Sequence, residues 1–342
     1  MPSLIFNGNR ITARRESRRI ILSRSGDDQT EATTLRVPLT DVDRATVIGH
    51  PQVSISVLQR LMKERIPVSF ISEKGQWYGT LHPDGDKNAA RRLLQYRQQD
   101  SPAKRLSCAQ KIVQAKIRNQ RRTLQRLGAN RNEAQASAQL NTLEQLKQLA
   151  RKTTHAENND ELRGIEGLAA ANYFARLAVF FPESMPFNGR SRRPPRNAAN
   201  ALLSWTYTIV RSEIDTALRL QGLDPCLGWL HELSAGTPAL ALDLLEPFRA
   251  PACDLLVLNL LNHRLLKADD FHVSAEDGGT YLNENARKKF FVHYESHMQR
   301  KFKQSTEAPH TDLRQCITQQ VWTVLRLLEN PDDPNHTFFQ MP

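Results

Sequence analysis

The segment Leu227-Gly-Trp-Leu-His231-Glu-Leu-Ser-Ala-Gly-Thr-Pro238-Ala-Leu-Ala-Leu-Asp243-Leu-Leu-Glu246-Pro-Phe-Arg249 constrains the fold more than any other stretch. A histidine, several carboxylates and an arginine stand there among leucines, where charge is costly unless it is paired or coordinated. Thr237-Pro238 reads as a helix start, with threonine as the cap and proline at the first helical position. Asp243 and Glu246, spaced i, i+3, then share one helical face. His231 precedes the turn and leans over that face. A neutral imidazole and two carboxylates converging in an apolar setting point to a divalent-metal site.

A chain of 342 residues has room for two domains, and 39% hydrophobic residues suffice for packed cores. The 47 lysines and arginines outnumber the 36 acids, which gives a net charge of +11 and a pI near 9.7. This balance favours a polyanion, above all nucleic acid, as partner. No run approaches the length of a membrane span, so no membrane partner is expected. Cys108, Cys226, Cys253 and Cys316 are scattered, which excludes a zinc ribbon and a disulfide scaffold. They read as reduced thiols of a cytoplasmic protein, and the N-terminus lacks the pattern of a signal peptide.

The expected fold class is α+β, with a β-rich domain over residues 1–84 and a larger, all-α domain over 85–342. In the first part, Leu4-Ile5-Phe6, Asn7-Gly8 and the run through Ile11 predict a tight hairpin. Further strands are expected at Arg18 to Ser23, around Leu35 and Val37, from Val42 to Val47, and at Val68 to Ile71 and Trp77 to Leu81. Pro38 marks an edge or an end. Ser54 caps a short helix that Pro67 stops. This part carries no clustered catalytic residue types; its expected role is assembly, with self-pairing the simplest form.

After the turn-rich His82 to Lys87 the composition shifts. From Lys87 to Arg131 basic residues recur with only Asp100 opposing them, interleaved with apolar positions at helical spacing. One-sided charge of this kind favours a phosphate-contacting surface over an ordinary solvated face. Helices are expected from Gln139 to Arg151, from Leu162 towards Phe181, from Ala198 to Leu220, from Tyr281 to Arg300 and from Cys316 to Leu328, and Asn330-Pro-Asp-Asp-Pro-Asn-His336 reads as a loose tail. Glu166 falls on the apolar side of its helix, with Leu162, Ile165, Ala169 and Tyr173; taken alone it reads as a snorkelling surface group. The loop Arg190-Ser-Arg192-Arg193-Pro-Pro-Arg196-Asn197 is either a stiffened phosphate-binding loop or simply solvated.

A catalytic Mg²⁺ or Mn²⁺ needs oxygen ligands, at most an imidazole beside them, and open positions for water and phosphate. Glu166, His231 and Glu246, with Asp243 near, supply that set within a basic domain, which points to phosphodiester chemistry. The histidines of His293-Tyr-Glu-Ser-His297 lack the order of a zinc-protease motif. No serine triad, Walker loop or dinucleotide fingerprint stands out.

Three blocks resemble the CRISPR-associated adaptation integrases, a family of metal-dependent DNA endonucleases. They are Gly164 to Phe174, Asp224 to His231, and Leu242 to Arg249. Lesser matches are Asn197 to Tyr207 and Ile66 to Gly79, so the likeness covers nearly the whole chain in one order. The resemblance implies an N-terminal β domain that makes a homodimer and an α-helical catalytic domain. It implies a small companion subunit bridging two dimers, and double-stranded DNA as spacer precursor and as repeat array. The activity implied is insertion of spacer DNA by attack of a DNA 3′-hydroxyl on a phosphodiester. Carried over by position, Glu166, His231 and Glu246 are metal ligands. Asp243 is a further catalytic candidate, as ligand or as support. Where relatives often have Asp, Glu246 has one more methylene. Arg190, Arg192, Arg193, Arg196, Arg249, Lys288 and Lys289 are candidate DNA contacts. The rival reading is a non-catalytic, basic DNA-binding architectural subunit whose acids merely neutralise arginines such as Arg249.

Overall fold

The computed structural model describes residues 3–26, 32–83, 89–129, 136–333 and 335–342. The expected boundary after residue 84 lies outside these residues, as do Lys87 and Arg131.

The chain opens with a β-rich region and continues as mostly helix. Strands β1 (Ser3–Asn7), β2 (Ile11–Glu16), β3 (Arg19–Arg24), β4 (Thr33–Pro38), β5 (Arg44–Ile48) and β6 (Gln52–Val53) precede helix α1 (Ile55–Lys63); β7 (Val68–Ile71) and β8 (Trp77–Leu81) come after it. One sheet runs β1-β5-β7-β8 and the other β4-β3-β2-β6. The hairpin expected at Asn7-Gly8 does not form: β1 pairs in parallel with β5, and β2 pairs with β3. The turn chemistry is genuine, since Gly8 adopts φ +95°. Pairing is decided instead by Leu4 and Phe6, which bury against Val47, Val57, Leu61 and Val68. Pro38 ends the edge strand β4.

Helices α2 (Ala89–Gln99), α3 (Pro102–Gly128), α4 (Ala136–Lys152), α5 (Asn159–Leu177) and α6 (Ala198–Leu220) come next. They are followed by α7 (Ala239–Phe248), a π-helical turn at Arg249–Asp254 and α8 (Leu255–Asn262). Asn158 and Asn197 cap α5 and α6 by accepting from the backbone N–H groups of Glu161 and Asn200. Helix α6 buries residues on nearly every face and is the central post. The helix expected from Tyr281 is shorter. Strands β9 (Phe271–Val273) and β10 (Thr280–Leu282) form a hairpin first, and α9 (Glu284–Gln299) begins after the cap Asn283. Beyond a short two-stranded ribbon, β11 (Phe302–Lys303) with β12 (His310–Thr311), α10 (Leu313–Glu329) ends the helical set.

Beyond the segment expected to be loose, the chain packs onto the helices. Phe338 and Phe339 are buried, and Phe339 stacks on Phe248 with ring centroids 4.9 Å apart. Asn119 on α3 is the clamp: its amide donates to Pro247 O at 2.7 Å and to Phe339 O at 2.9 Å. The β-rich region joins the helices through Ile48 and Ile71, which share the helical core, and through a buried ion network. In that network Glu213 of α6 accepts from Arg314 of α10 and pairs with Arg44 of β5. Among the described residues, no helix is long and apolar enough to cross a membrane.

Candidate active site

Asp243 organises one wall of the site. Fully buried on α7, its Oδ2 accepts from the backbone N–H of Trp229 at 2.6 Å and of Leu230 at 3.0 Å. Oδ1 accepts from the backbone N–H of His231 at 3.0 Å and faces His231 Nδ1 at 2.6 Å. That network assigns the proton to Nδ1, leaving Nε2 as the ring nitrogen with a free lone pair. Burial opposes a charge on His231, but the bond to Asp243 and its negative charge outweigh this and raise the imidazole's pKa. The loop reaches α7 because residue 228 is glycine. A Cβ there would stand 2.7 Å from the Ala239 Cβ and 2.8 Å from Asp243 Oδ2. Helix α7 starts one residue later than expected, at Ala239, and Pro238 occupies the cap position without a side-chain bond.

Glu246, one turn along α7, is 4% exposed. Arg249 Nε donates to its Oε1 at 2.9 Å. Lys116 Nζ lies 2.5 Å from Oε2 as a buried ion pair. Lys116, on α3, also donates to Glu166 Oε1 on α5. Burial would push the Glu246 carboxyl up, but Arg249 and Lys116 hold it at about 2.

The π-helical turn carries Arg249 and Asp254 to Tyr207, and such turns often sit at working sites. Arg249 Cζ lies 4.5 Å from the Tyr207 ring centre and Arg190 Cζ 5.2 Å from it. The Tyr207 hydroxyl donates to Asp254 Oδ1 at 2.6 Å, and that of Tyr173 to Oδ2 at 2.8 Å. Burial raises the Asp254 carboxyl to about 6 against the pull of these two donors. Most of these groups line a cleft of about 330 Å³.

The model of the family described as CRISPR associated protein Cas1 matches residues 4–296. This chain belongs to the Cas1 family. It is 37% identical over 264 residues to the CRISPR-associated endonuclease Cas1 3 of Thermus thermophilus, covering 77% of this chain and 76% of that one. A Cas1 protein from Thermotoga maritima superposes with a TM-score of 0.77 at 25% identity, with all of both chains covered. A chain of a Cas6-RT-Cas1–Cas2 complex superposes with a TM-score of 0.80 at 27% identity. That match covers 99% of this chain and 36% of the other. The match to the Cas1 family ends within α9, so α10 and the tail that braces Asn119 lie beyond it.

Within this Cas1 fold, Glu166, His231, Glu246, Arg190, Arg192 and Arg249 line the one cleft, with Lys116 among them. Asp243 stands behind its wall. The other candidates are elsewhere. Lys288 pairs with Glu284 at 2.9 Å, and Lys289 with Asp270 at 2.8 Å. Arg196 reaches the carbonyl of Gly278. The basic run on α2 and α3 is also less free than its composition implies. Arg91, Arg121 and Arg122 donate to the carbonyls of Gln221, Leu143 and Pro342. Of the ion pairs that the rival reading expects, Glu246 with Arg249 forms, whereas Asp243 serves the loop, and the Cas1 match supports an enzyme over that reading.

Among the described residues, no three His, Cys, Asp or Glu side chains converge closely enough to form a ready cage for a metal ion. Lys116 stands between the carboxylates. The donors still fit a hard divalent cation. Two carboxylates from different helices already hold a cationic group between them, and His231 lines the same cleft. Sequence reasoning counted Lys116 among the surface charges and missed Tyr207 and Asp254. A signal for Lys116 existed: it comes four residues after Ile112 and three after Val113, on the buried stripe of α3.

Proposed function

We propose that this chain is a metal-dependent DNA endonuclease and integrase of CRISPR adaptation, and that Glu166, His231 and Glu246 hold its divalent cation, Mg²⁺ or Mn²⁺. The observation that carries the reading is the convergence of carboxylates from α5 and α7 on one cationic centre, in a cleft shared with His231, Arg190, Arg192 and Arg249. When bound, the cation supplies activation of the attacking DNA 3′-hydroxyl and stabilises charge on the scissile phosphate. The chain's own residues do the rest. Asp243 holds the imidazole ring in register through Nδ1, so that Nε2 is the donor nitrogen. Arg249, fixed between Glu246 and the Tyr207 ring, orients that carboxylate. Arg190 and Arg192 at the cleft take phosphate oxygens, where guanidinium forks bind well. In the reaction the 3′-oxygen forms a bond to phosphorus, and the bond from phosphorus to the 3′-oxygen of the repeat strand breaks.

The β-rich region is the homodimer contact in this reading, and a small companion subunit bridges two dimers. The companion has support in the solved neighbour that is described as a complex with Cas2. The two-domain division near residue 84 and a cytoplasmic site of action belong to the same proposal.

The test is strand transfer with short duplexes bearing free 3′-hydroxyl ends, with a chelator control. Glu166→Gln, His231→Ala and Glu246→Gln are each expected to abolish transfer while DNA binding persists. Wild-type transfer in all three at limiting metal sinks the assignment. The architectural reading has one observation in its favour, the pairing of Glu246 with Lys116 and Arg249. It predicts no metal dependence, so the same assay separates the two.

A further inference from the structure

Lys116 is 6% exposed, yet its ammonium is the only contact that joins Glu166 to Glu246 among the described residues. The backbone beneath it cannot drift. One turn on, Asn119 is tied to Pro247 and to the tail, and Gln120 lies in the same cleft lining. Two carboxylates brought to one point from different helices repel unless a cation lies between them, and in a poorly solvated site that repulsion is felt strongly. Arg249 is not a substitute. It serves Glu246 alone of the two, and its guanidinium is committed to that bond and to the Tyr207 ring.

The two basic residues therefore differ in kind. Arg249 is held over the Tyr207 ring and in a buried ion pair with Glu246. Lys116 offers a compact charge on a flexible four-carbon stem, which can withdraw into an open cleft without unpacking the helix.

We propose that Lys116 is an internal counter-cation: it holds Glu166 and Glu246 in register without metal, and a divalent ion must displace it to bind. Lys116 is thus a positioning residue that sets the metal concentration at which the site becomes competent. The inference rests on the reading of Glu166 and Glu246 as ligands given above.

The experiment uses the full chain without DNA and Mn²⁺ as the probe, with affinity from calorimetry and from the spin-resonance signal of free Mn²⁺. Lys116→Met is expected to bind Mn²⁺ at least tenfold more tightly than wild type. Its melting temperature is expected to fall in EDTA and to recover with Mn²⁺. Lys116→Arg, which keeps the charge in a larger, stiffer group, is expected to melt like wild type in EDTA and to bind Mn²⁺ more weakly. A folded Lys116→Met with unchanged or weaker affinity overturns the proposal. If that variant does not fold, Lys116→Arg decides: affinity equal to or above wild type overturns it. Glu166→Gln and Glu246→Gln separate the two levels. If both weaken Mn²⁺ binding while Lys116→Met does not tighten it, the counter-cation role alone falls. If neither weakens it, the ligand assignment falls and the counter-cation role with it.

Discussion

Replacing Asp243 with asparagine tests whether the loop that carries His231 is held by this one side chain. Each carboxylate oxygen accepts two bonds, one oxygen from Trp229 and Leu230, the other from the backbone and ring of His231. An amide presents one oxygen and one NH₂ group: turned one way, the N–H groups of Trp229 and Leu230 lose their acceptor; turned the other, the N–H of His231 does, because the ring can accept at Nδ1. An unsatisfied buried donor costs about 1–3 kcal/mol, so with one or two of them Asp243→Asn is expected to cost about 1–6 kcal/mol, a large share of a typical domain's stability. His231→Ala removes only the ring bond and leaves three main-chain donors satisfied, so it should cost about 1 kcal/mol. Urea unfolding in EDTA, read as a shift in midpoint at constant slope, measures both. Mn²⁺ affinity of Asp243→Asn is expected to fall about 10–100-fold, as when the partner of a metal-binding histidine is lost. A variant within about 1 kcal/mol of wild type, or one no less stable than His231→Ala, refutes the account of the loop.

Gly228→Ala should reproduce much of the Asp243 defect without removing a charge, because the added Cβ meets Ala239 and Asp243 below 3 Å. A melting temperature and Mn²⁺ affinity like wild type would show that the loop does not need this close approach. Glu213→Gln tests the link between β5, α6 and α10. Burial alone would raise the Glu213 carboxyl, but Arg44 and Arg314 hold it at about 2 against an ordinary 4.5. Its folded pKa is depressed, so its stabilisation is complete above pH 4.5 and is lost as pH falls towards 2. The loss is on the order of 3 kcal/mol. Glu213→Gln should be less stable at pH 7 and show a flatter fall in stability through that acid window. An unchanged acid slope contradicts the assignment.

Much of the helical half was legible because its signals are local. Helix α6 begins at Ala198 as expected, where Asn197 caps it, whereas α5 begins at Asn159 after its cap Asn158, earlier than the expected Leu162. The blocks around Glu166, His231 and Glu246 each carry a spacing that a few neighbouring residues define, and the three side chains do line one cleft. Strand pairing was less legible. Asn7-Gly8 encodes a turn, but a turn does not say which strand comes next to it, and β1 found β5 across the sequence because Leu4 and Phe6 needed a core. The packing of the residues after His336 was not legible for a like reason: Phe339 follows a polar stretch, yet in space it is stacked on Phe248.

Charge shows the division most sharply. Sequence by itself determined that the chain is basic, that acids and a histidine lie among leucines from His231 to Arg249, and that these must be paired or coordinated. Only the tertiary structure decided which group pairs with which. Asp243 turned to the main chain of the loop, Glu246 took Arg249, and Lys116, on the buried stripe of α3, stands between Glu166 and Glu246. The physical reason is range. Caps, turns and helical faces depend on residues a few positions apart, whereas a buried charge chooses its partner from helices that meet only when the core closes around them.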